Sequence, residues 1–228
     1  MICEVDRTMN AVILSCTTLK DYVCSAQEAC HTDYPVVWLD RQYHIEPQQM
    51  REQIVSALAA LPEKIDTVLV AMGFCGGSWQ DVTSSKRLVI PRVDDCVSLV
   101  MTTTDEVRPC TKEPGHMYVF GGASGGFSIG GIYDALRQEH DEETAQIVFD
   151  MMFANYRNVD IVDTGLYDCY DPDYVEAVQA DADRIHAELA FVDGGNLLLE
   201  KLLSGRWDKQ FFVAEPGTTI RQGTFFEV

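Results

Sequence analysis

The stretch Thr67-Val68-Leu69-Val70-Ala71-Met72, broken by Gly73-Phe74-Cys75-Gly76-Gly77, decides the fold class of this chain. A strand with one wet face alternates apolar and polar side chains. This one runs apolar without alternation, as a strand does when a parallel sheet is covered by helices on both faces. The glycine-rich break marks a sharp strand end.

Upstream, Ala11 to Ser15 (AVILS) is another short apolar run, ending at Cys16, and the polar stretch after it reads as helix to about Ala29. Val36 to Leu39 is a short strand. Glu46 to Leu61 carries Met50, Ile54, Ala57, Leu58 and Leu61 at the spacing of a helix face, and Pro62 stops it. Downstream, Arg87 to Ile90 reads as strand, Pro91 ends it, and Asp94 and Asp95 cap a helix from Cys96 to Met101. Met117 to Phe120 is a strand, Gly121 to Gly131 a glycine-rich loop, Ile132 to Phe153 mostly helix, and Val159 to Val162 a strand. Asp173 to Leu189 follows as a long acidic helix, Leu197 to Leu203 as a helix closed by Gly205, and Phe211 to Ala214 as a last strand.

This alternation predicts an α/β fold: a mostly parallel sheet with helices on both faces, three layers, and a site at the carboxyl ends of the strands. The 228 residues fit a single α/β domain over 1–228, or two closely packed lobes, 1–110 and 111–228. Hydrophobic residues at 46% and charged ones at 23% are the balance of a globular chain. Acidic residues outnumber basic ones 36 to 17, for a formal net charge of −19. Such a field repels nucleic acid and anionic membrane surfaces and suits solubility or docking to a basic protein. No apolar run reaches the roughly 18 to 20 residues of a membrane span. Glu4, Asp6 and Arg7 precede the first apolar stretch, so a cytoplasmic location is expected. Eight cysteines in a reducing compartment point to metal or thiol chemistry rather than to disulfides.

Cys16 follows the first strand, Cys75 sits in the glycine turn, and Cys96 opens the helix after the fourth strand. In a parallel sheet all three emerge on one edge. Thiolates are soft ligands for zinc or an iron–sulfur cluster, and three of them leave one position for water, substrate or a further side chain. Gly76 and Gly77 let the backbone bend and a bulky group approach, and amides at the helix start favour an anionic sulfur. Arg92 is a candidate carboxylate clamp, and Asp94 and Asp95 are candidate general bases or outer partners of the ligands. The gaps of 59 and 21 residues are equally those of three buried cysteines acting as small hydrophobes.

Other features carry less. Gly122, Ser124 and Gly125 lie in a loop that suits anion or substrate binding through its amides, or simply a tight turn, since it lacks the end of a phosphate loop. His116 lies nearest a strand start, Asp160 and Asp163 flank a strand end, and Cys169 is a candidate fourth thiolate.

Gly73-Phe74-Cys75-Gly76 and Leu88-Val89-Ile90-Pro91-Arg92-Val93-Asp94-Asp95-Cys96 resemble the signature of the uncharacterised domain-of-unknown-function family 1638. Val162-Asp163-Thr164-Gly165 resembles its strand-end motif. Leu202-Leu203-Ser204-Gly205-Arg206-Trp207-Asp208, with Phe211 and Pro216-Gly217, resembles its closing pattern. The resemblance implies cysteines of the family pattern at Cys16, Cys75 and Cys96, and a metal held by them. Where the family usually has histidine, this chain has Asp94. Family members are typically encoded near corrinoid proteins and their methyltransferases. The expected function is therefore a metal-dependent enzyme of anaerobic one-carbon metabolism acting on a small molecule, with a corrinoid protein or methyltransferase as partner. A single zinc is favoured over [4Fe–4S], since a carboxylate can serve as its fourth ligand. The rivals are a [4Fe–4S] lyase or dehydratase and a non-catalytic docking module.

Overall fold

The computed structural model describes residues 9–121 and 128–227. In chain order the elements are β1 (Ala11–Cys16), α1 (Lys20–Cys30), β2 (Val36–Leu39), α2 (Pro47–Ala59), β3 (Thr67–Ala71), β4 (Arg87–Pro91) and α3 (Cys96–Met101). Next come β5 (His116–Val119), α4 (Ile129–Glu139), α5 (Glu142–Phe153), β6 (Asn158–Asp163), α6 (Pro172–Arg184) and β7 (Glu188–Asp193). The chain closes with α7 (Leu197–Leu203), β8 (Phe211–Ala214) and α8 (Gln222–Phe226). Two compact units result: one runs through Thr111 and resumes at Asn196, and the other is Lys112–Gly195.

The sheet of the first unit has the order β2-β1-β3-β4-β8. Its first four strands are parallel and β8 is antiparallel to β4. Every residue of β1 and β3 is buried, which accounts for their unbroken apolar sequence. Ser15 pairs with Ala71 and Thr67 with Arg87, so β1, β3 and β4 release their chains along one edge. Helix α2 packs on β2 and on the turn at Cys75–Gly77, and α7 packs on α1, α3, β3 and β4.

The segment after Leu203 stops α7 and anchors the return of the chain. Gly205 takes a left-handed φ of 76°, and Arg206 N–H bonds back to the Lys201 carbonyl at 3.0 Å, the hydrogen bond that closes a Schellman end. Trp207 Nε1 caps the Leu202 carbonyl at 2.8 Å. Lys201 itself is only 2% exposed; its ammonium donates to Asp105 at 2.7 Å, to Asp208 at 2.6 Å and to the amide oxygen of Gln210. Gln210 in turn donates to the carbonyls of Thr104 and Glu106, both at 2.9 Å, so one buried cation ties two loops to α7.

The second unit holds a separate parallel sheet of order β5-β6-β7. The expectation of one sheet is corrected here, since among the described residues β5 and β7 pair with β6 alone. Val159 and Ile161 of β6 pack with Ile129, Phe149, Phe153 and Val178 from the three helices. Asp141 and Asp171 cap α5 and α6 by accepting from Thr144 and Tyr174 amides at 3.0 Å each, and the Asp181 carboxylate takes the first two amides of α4.

A second correction concerns Asp173–Leu189. The helix ends at Arg184 because His186 turns left-handed at φ 56°, with Ala187 N–H closing on the Ala182 carbonyl at 2.9 Å; Glu188–Asp193 is a strand instead. Helix α8 is also an element that the apolar pattern did not announce. Among the described residues, no helix is long and apolar enough to cross a membrane.

His31 and His186 are both exposed and left-handed, a conformation strained for a residue with a Cβ. Replacing either by glycine is expected to raise the unfolding free energy by about 0.5–1 kcal/mol, measured in urea. For Asp208, desolvation alone would raise the pKa, but the hydrogen bonds from Lys201 and from the Gln210 amide outweigh it and the net shift is downward. Its stabilisation is therefore complete above the unfolded carboxylate value of about 3.9 and is lost as pH falls through the lower folded value. Asp208→Asn is expected to lower stability at neutral pH and to flatten its decline below about pH 4.

Candidate metal centre

Cys16, Cys75 and Cys96 all lie at the carboxyl edge of the first sheet, immediately at or a few residues past the ends of β1, β3 and β4. Beyond β3 and β4 the two loops pair again: Phe74 N–H donates to the Val93 carbonyl at 2.9 Å and Cys75 N–H to the Asp94 carbonyl at 2.7 Å. Gly73 makes this approach possible, because a Cβ there would stand 2.6 Å from Asp95 Cα. The Phe74 ring is buried against Phe225, centroids 4.8 Å apart, and Arg51 of α2 donates to the Gly77 carbonyl at 2.9 Å. The loop is thus pinned from three sides.

Its backbone is unusual. Cys75, Gly76 and Gly77 are successive left-handed residues, with φ of 46°, 65° and 92°. For Cys75, which has a Cβ, this region costs on the order of 1–2 kcal/mol. That conformation accompanies a contact of 4.0 Å between Cys75 Sγ and Cys96 Sγ. The distance is far beyond a disulfide bond. It is near the separation of about 3.8 Å that two sulfurs take when each lies about 2.3 Å from one tetrahedral ion.

The third cysteine is differently engaged. Cys16 is fully buried; its thiol donates to Thr18 Oγ1 at 3.3 Å and its sulfur accepts from Thr18 N–H at 3.4 Å. Among the described residues, no group of three or more His, Cys, Asp or Glu side chains stands close enough to hold a metal ion. Cys75 and Cys96 are thus a close pair, and among the described residues no third such side chain completes a group with them.

The charged candidates have defined places. Asp95 caps α3, its Oδ1 accepting from Ser98 N–H at 2.9 Å. The Asp94 backbone bridges Cys75 to the Pro109 carbonyl, which its own amide meets at 2.8 Å. Arg92 turns to the C-terminal segment: Nε donates to Phe211 O at 3.2 Å, Nη1 to the Thr224 and Phe225 carbonyls, and the guanidinium lies 5.2 Å from the Phe212 ring centre. Burial lowers its pKa. Gly76 and Gly77 are in the turn, whereas Gly122, Ser124 and Gly125 lie outside the described residues. Cys169 belongs to the core of the second unit, where burial, reinforced by Asp163, pushes its thiol pKa up. The seven cysteines among the described residues form no disulfide. What the sequence reading missed is the C-terminal anchor, Phe225 under Phe74; the pair Phe225-Phe226 was its visible signal.

Fold and site together define an α/β protein that carries a close thiol pair on a strand-end edge. The chain belongs to the family described as "Protein of unknown function (DUF1638)", whose model matches residues 38–203. That span contains Cys75 and Cys96, while Cys16 and the residues after Leu203 lie outside it. No curated protein and no solved structure matches the chain.

Gly73→Ala tests the loop pairing directly. The added methyl meets backbone rather than a movable side chain, so a loss of about 1–3 kcal/mol in urea unfolding is expected. The same variant should bind phenylarsine oxide, which needs two neighbouring thiols, more weakly than the parent chain.

Proposed function

We propose that this chain is a thiolate–metal protein of anaerobic one-carbon metabolism, an enzyme of corrinoid-linked methyl transfer, with Cys75 and Cys96 as ligands and Cys16 as the third. The observation that carries this is the 4.0 Å approach of the Cys75 and Cys96 sulfurs at the edge where parallel sheets place ligands. A three-layer arrangement with the site at the carboxyl ends of β1, β3 and β4 belongs to the same proposal, and the complete burial of β1 and β3 supports it. The corrinoid link comes from the family resemblance alone.

The spacing favours one zinc ion over a [4Fe–4S] cluster, since a cluster binds each cysteine through a different iron and spreads the sulfurs wider than a shared ion does. Zinc in such a site supplies activation of a bound thiol or acidification of a water. The protein's part is placement. Asp95 holds the first turn of α3 and so the position of Cys96, and Asp94 holds the Cys75 amide through its carbonyl. The substrate expected beside the sulfurs is a small-molecule methyl donor or acceptor. The excess of acidic over basic residues, 36 to 17, suits a basic face on the partner corrinoid protein or methyltransferase.

The test is elemental analysis and an optical spectrum after purification without oxygen. The expected result is a colourless protein with about one zinc per chain, lost in Cys75→Ser and in Cys96→Ser and weakened in Cys16→Ser. A brown protein would transfer the site to iron and sulfur. A triple alanine variant that keeps the full metal content would end the proposal.

A further inference from the structure

Independently of the thiol pair, the second unit contains an acid–imidazole pair. In β5, Met117 and Val119 pack toward the apolar core, so His116 and Tyr118 face the other side of the sheet. The parallel register sets His116 beside Asn158 and Tyr118 beside Asp160, which puts the Asp160 carboxylate on that same side, diagonal to the imidazole. His116 Nδ1 and Asp160 Oδ2 are 2.6 Å apart. The Tyr118 ring lies nearly parallel to the imidazole, with centroids 6.2 Å apart. Glu113 Oε2 stands 3.7 Å from Nε2.

The burial of this pair is uneven in a telling way. The His116 side chain is 26% exposed, while that of Asp160 is 1% exposed. Its other oxygen, Oδ1, is buried and has no hydrogen-bond partner among the described residues. Val159, Ile161 and Val162 around it in β6 are fully buried, so stability alone would favour an apolar residue at 160. Among the described residues, the side chain that this carboxylate is bonded to is His116. A buried carboxylate on Nδ1–H holds the ring in one tautomer and leaves the lone pair on Nε2. Asp160 and Glu113 thus stand at the two ring nitrogens, Asp160 at Nδ1 and Glu113 at Nε2.

We propose that His116 is the proton acceptor of a second reactive site, with Asp160 as its positioning residue. It serves a substrate whose reacting group is a hydroxyl, a thiol or a water molecule. The proton passes from that O–H or S–H to Nε2, and the electron pair it leaves behind makes the oxygen or sulfur nucleophilic. All the groups involved lie within Lys112–Gly195, so the site stands or falls apart from the metal proposal.

Diethyl pyrocarbonate acylates the unprotonated imidazole nitrogen, and peptide mass spectrometry of the intact, native chain resolves its rate at each histidine. At about pH 8, where imidazoles are largely neutral, His116 is expected to react at least about fivefold faster than the exposed His31, His140 and His186, although it is the more buried. Asp160→Asn should bring His116 to their rate or below. If that variant does not fold, the comparison within the parent chain still decides. A His116 rate equal to or slower than those of the exposed histidines overturns the proposal and leaves the pair as an ion pair of the fold, as does an unchanged His116 rate in folded Asp160→Asn.

Discussion

Two backbone hydrogen bonds, from Phe74 to Val93 and from Cys75 to Asp94, determine the shape of the carboxyl edge of the first sheet. The ladder between β3 and β4 is paired only as far as Leu69 and Val89. Past that point the chains would be free to splay, and these two bonds draw them together again. They require a residue without a side chain at 73, because the Asp95 backbone occupies the space a Cβ would need. The left-handed Cys75 is the consequence, and its strain is offset by burial of Phe74 against Phe225 and by the hydrogen bond from Arg51. The thiol pair is therefore a product of loop pairing rather than of strand pairing.

The stretch Leu202 to Asp208 serves a different end. Serine, glycine, arginine and tryptophan there terminate α7, and aspartate completes the socket of the buried Lys201. Through Gln210 that socket continues to the backbone of Arg92, whose amide meets the Gln210 carbonyl at 2.7 Å. Arg92 then grips the carbonyls of Phe211, Thr224 and Phe225. A motif of charged residues can thus mark a structural clamp. The arginine that the sequence offered as a carboxylate clamp holds carbonyl groups of its own chain in this structure.

The legibility of the sequence follows the same division. Val36–Leu39, Cys96–Met101, Leu197–Leu203 and Phe211–Ala214 have in the structure the bounds their patterns indicate, because local capping and apolar periodicity define them. β7 was hidden: Leu189 continues the apolar rhythm of α6, and a histidine at φ 56° is a helix stop that only glycine or asparagine would have announced. The antiparallel direction of β8, the division into two sheets and the meeting of His116 with Asp160 arise from pairing at long range, which no local window contains. At the candidate metal centre, placement at strand ends located all three cysteines on one edge, but the contact of two and not the third depended on the turn at Gly73.

Cys16 is consequently the residue on which the proposed centre turns. β1 and β3 are neighbours, about 4.8 Å apart, and Ser15 is in register with Ala71, so Cys16 begins its turn beside the rise that leads to Cys75. Its sulfur already accepts the Thr18 amide, a bond that strengthens when the sulfur is anionic, whereas its donation to Thr18 Oγ1 exists only for the thiol. A thiolate at Cys16 would still be held by Thr18, whose amide already meets the sulfur and whose hydroxyl can turn to donate to it. In the proposed centre, a cation held by Cys75 and Cys96 would supply a field that favours an anionic sulfur at Cys16, so the three cysteines would be linked by charge before they are linked by contact.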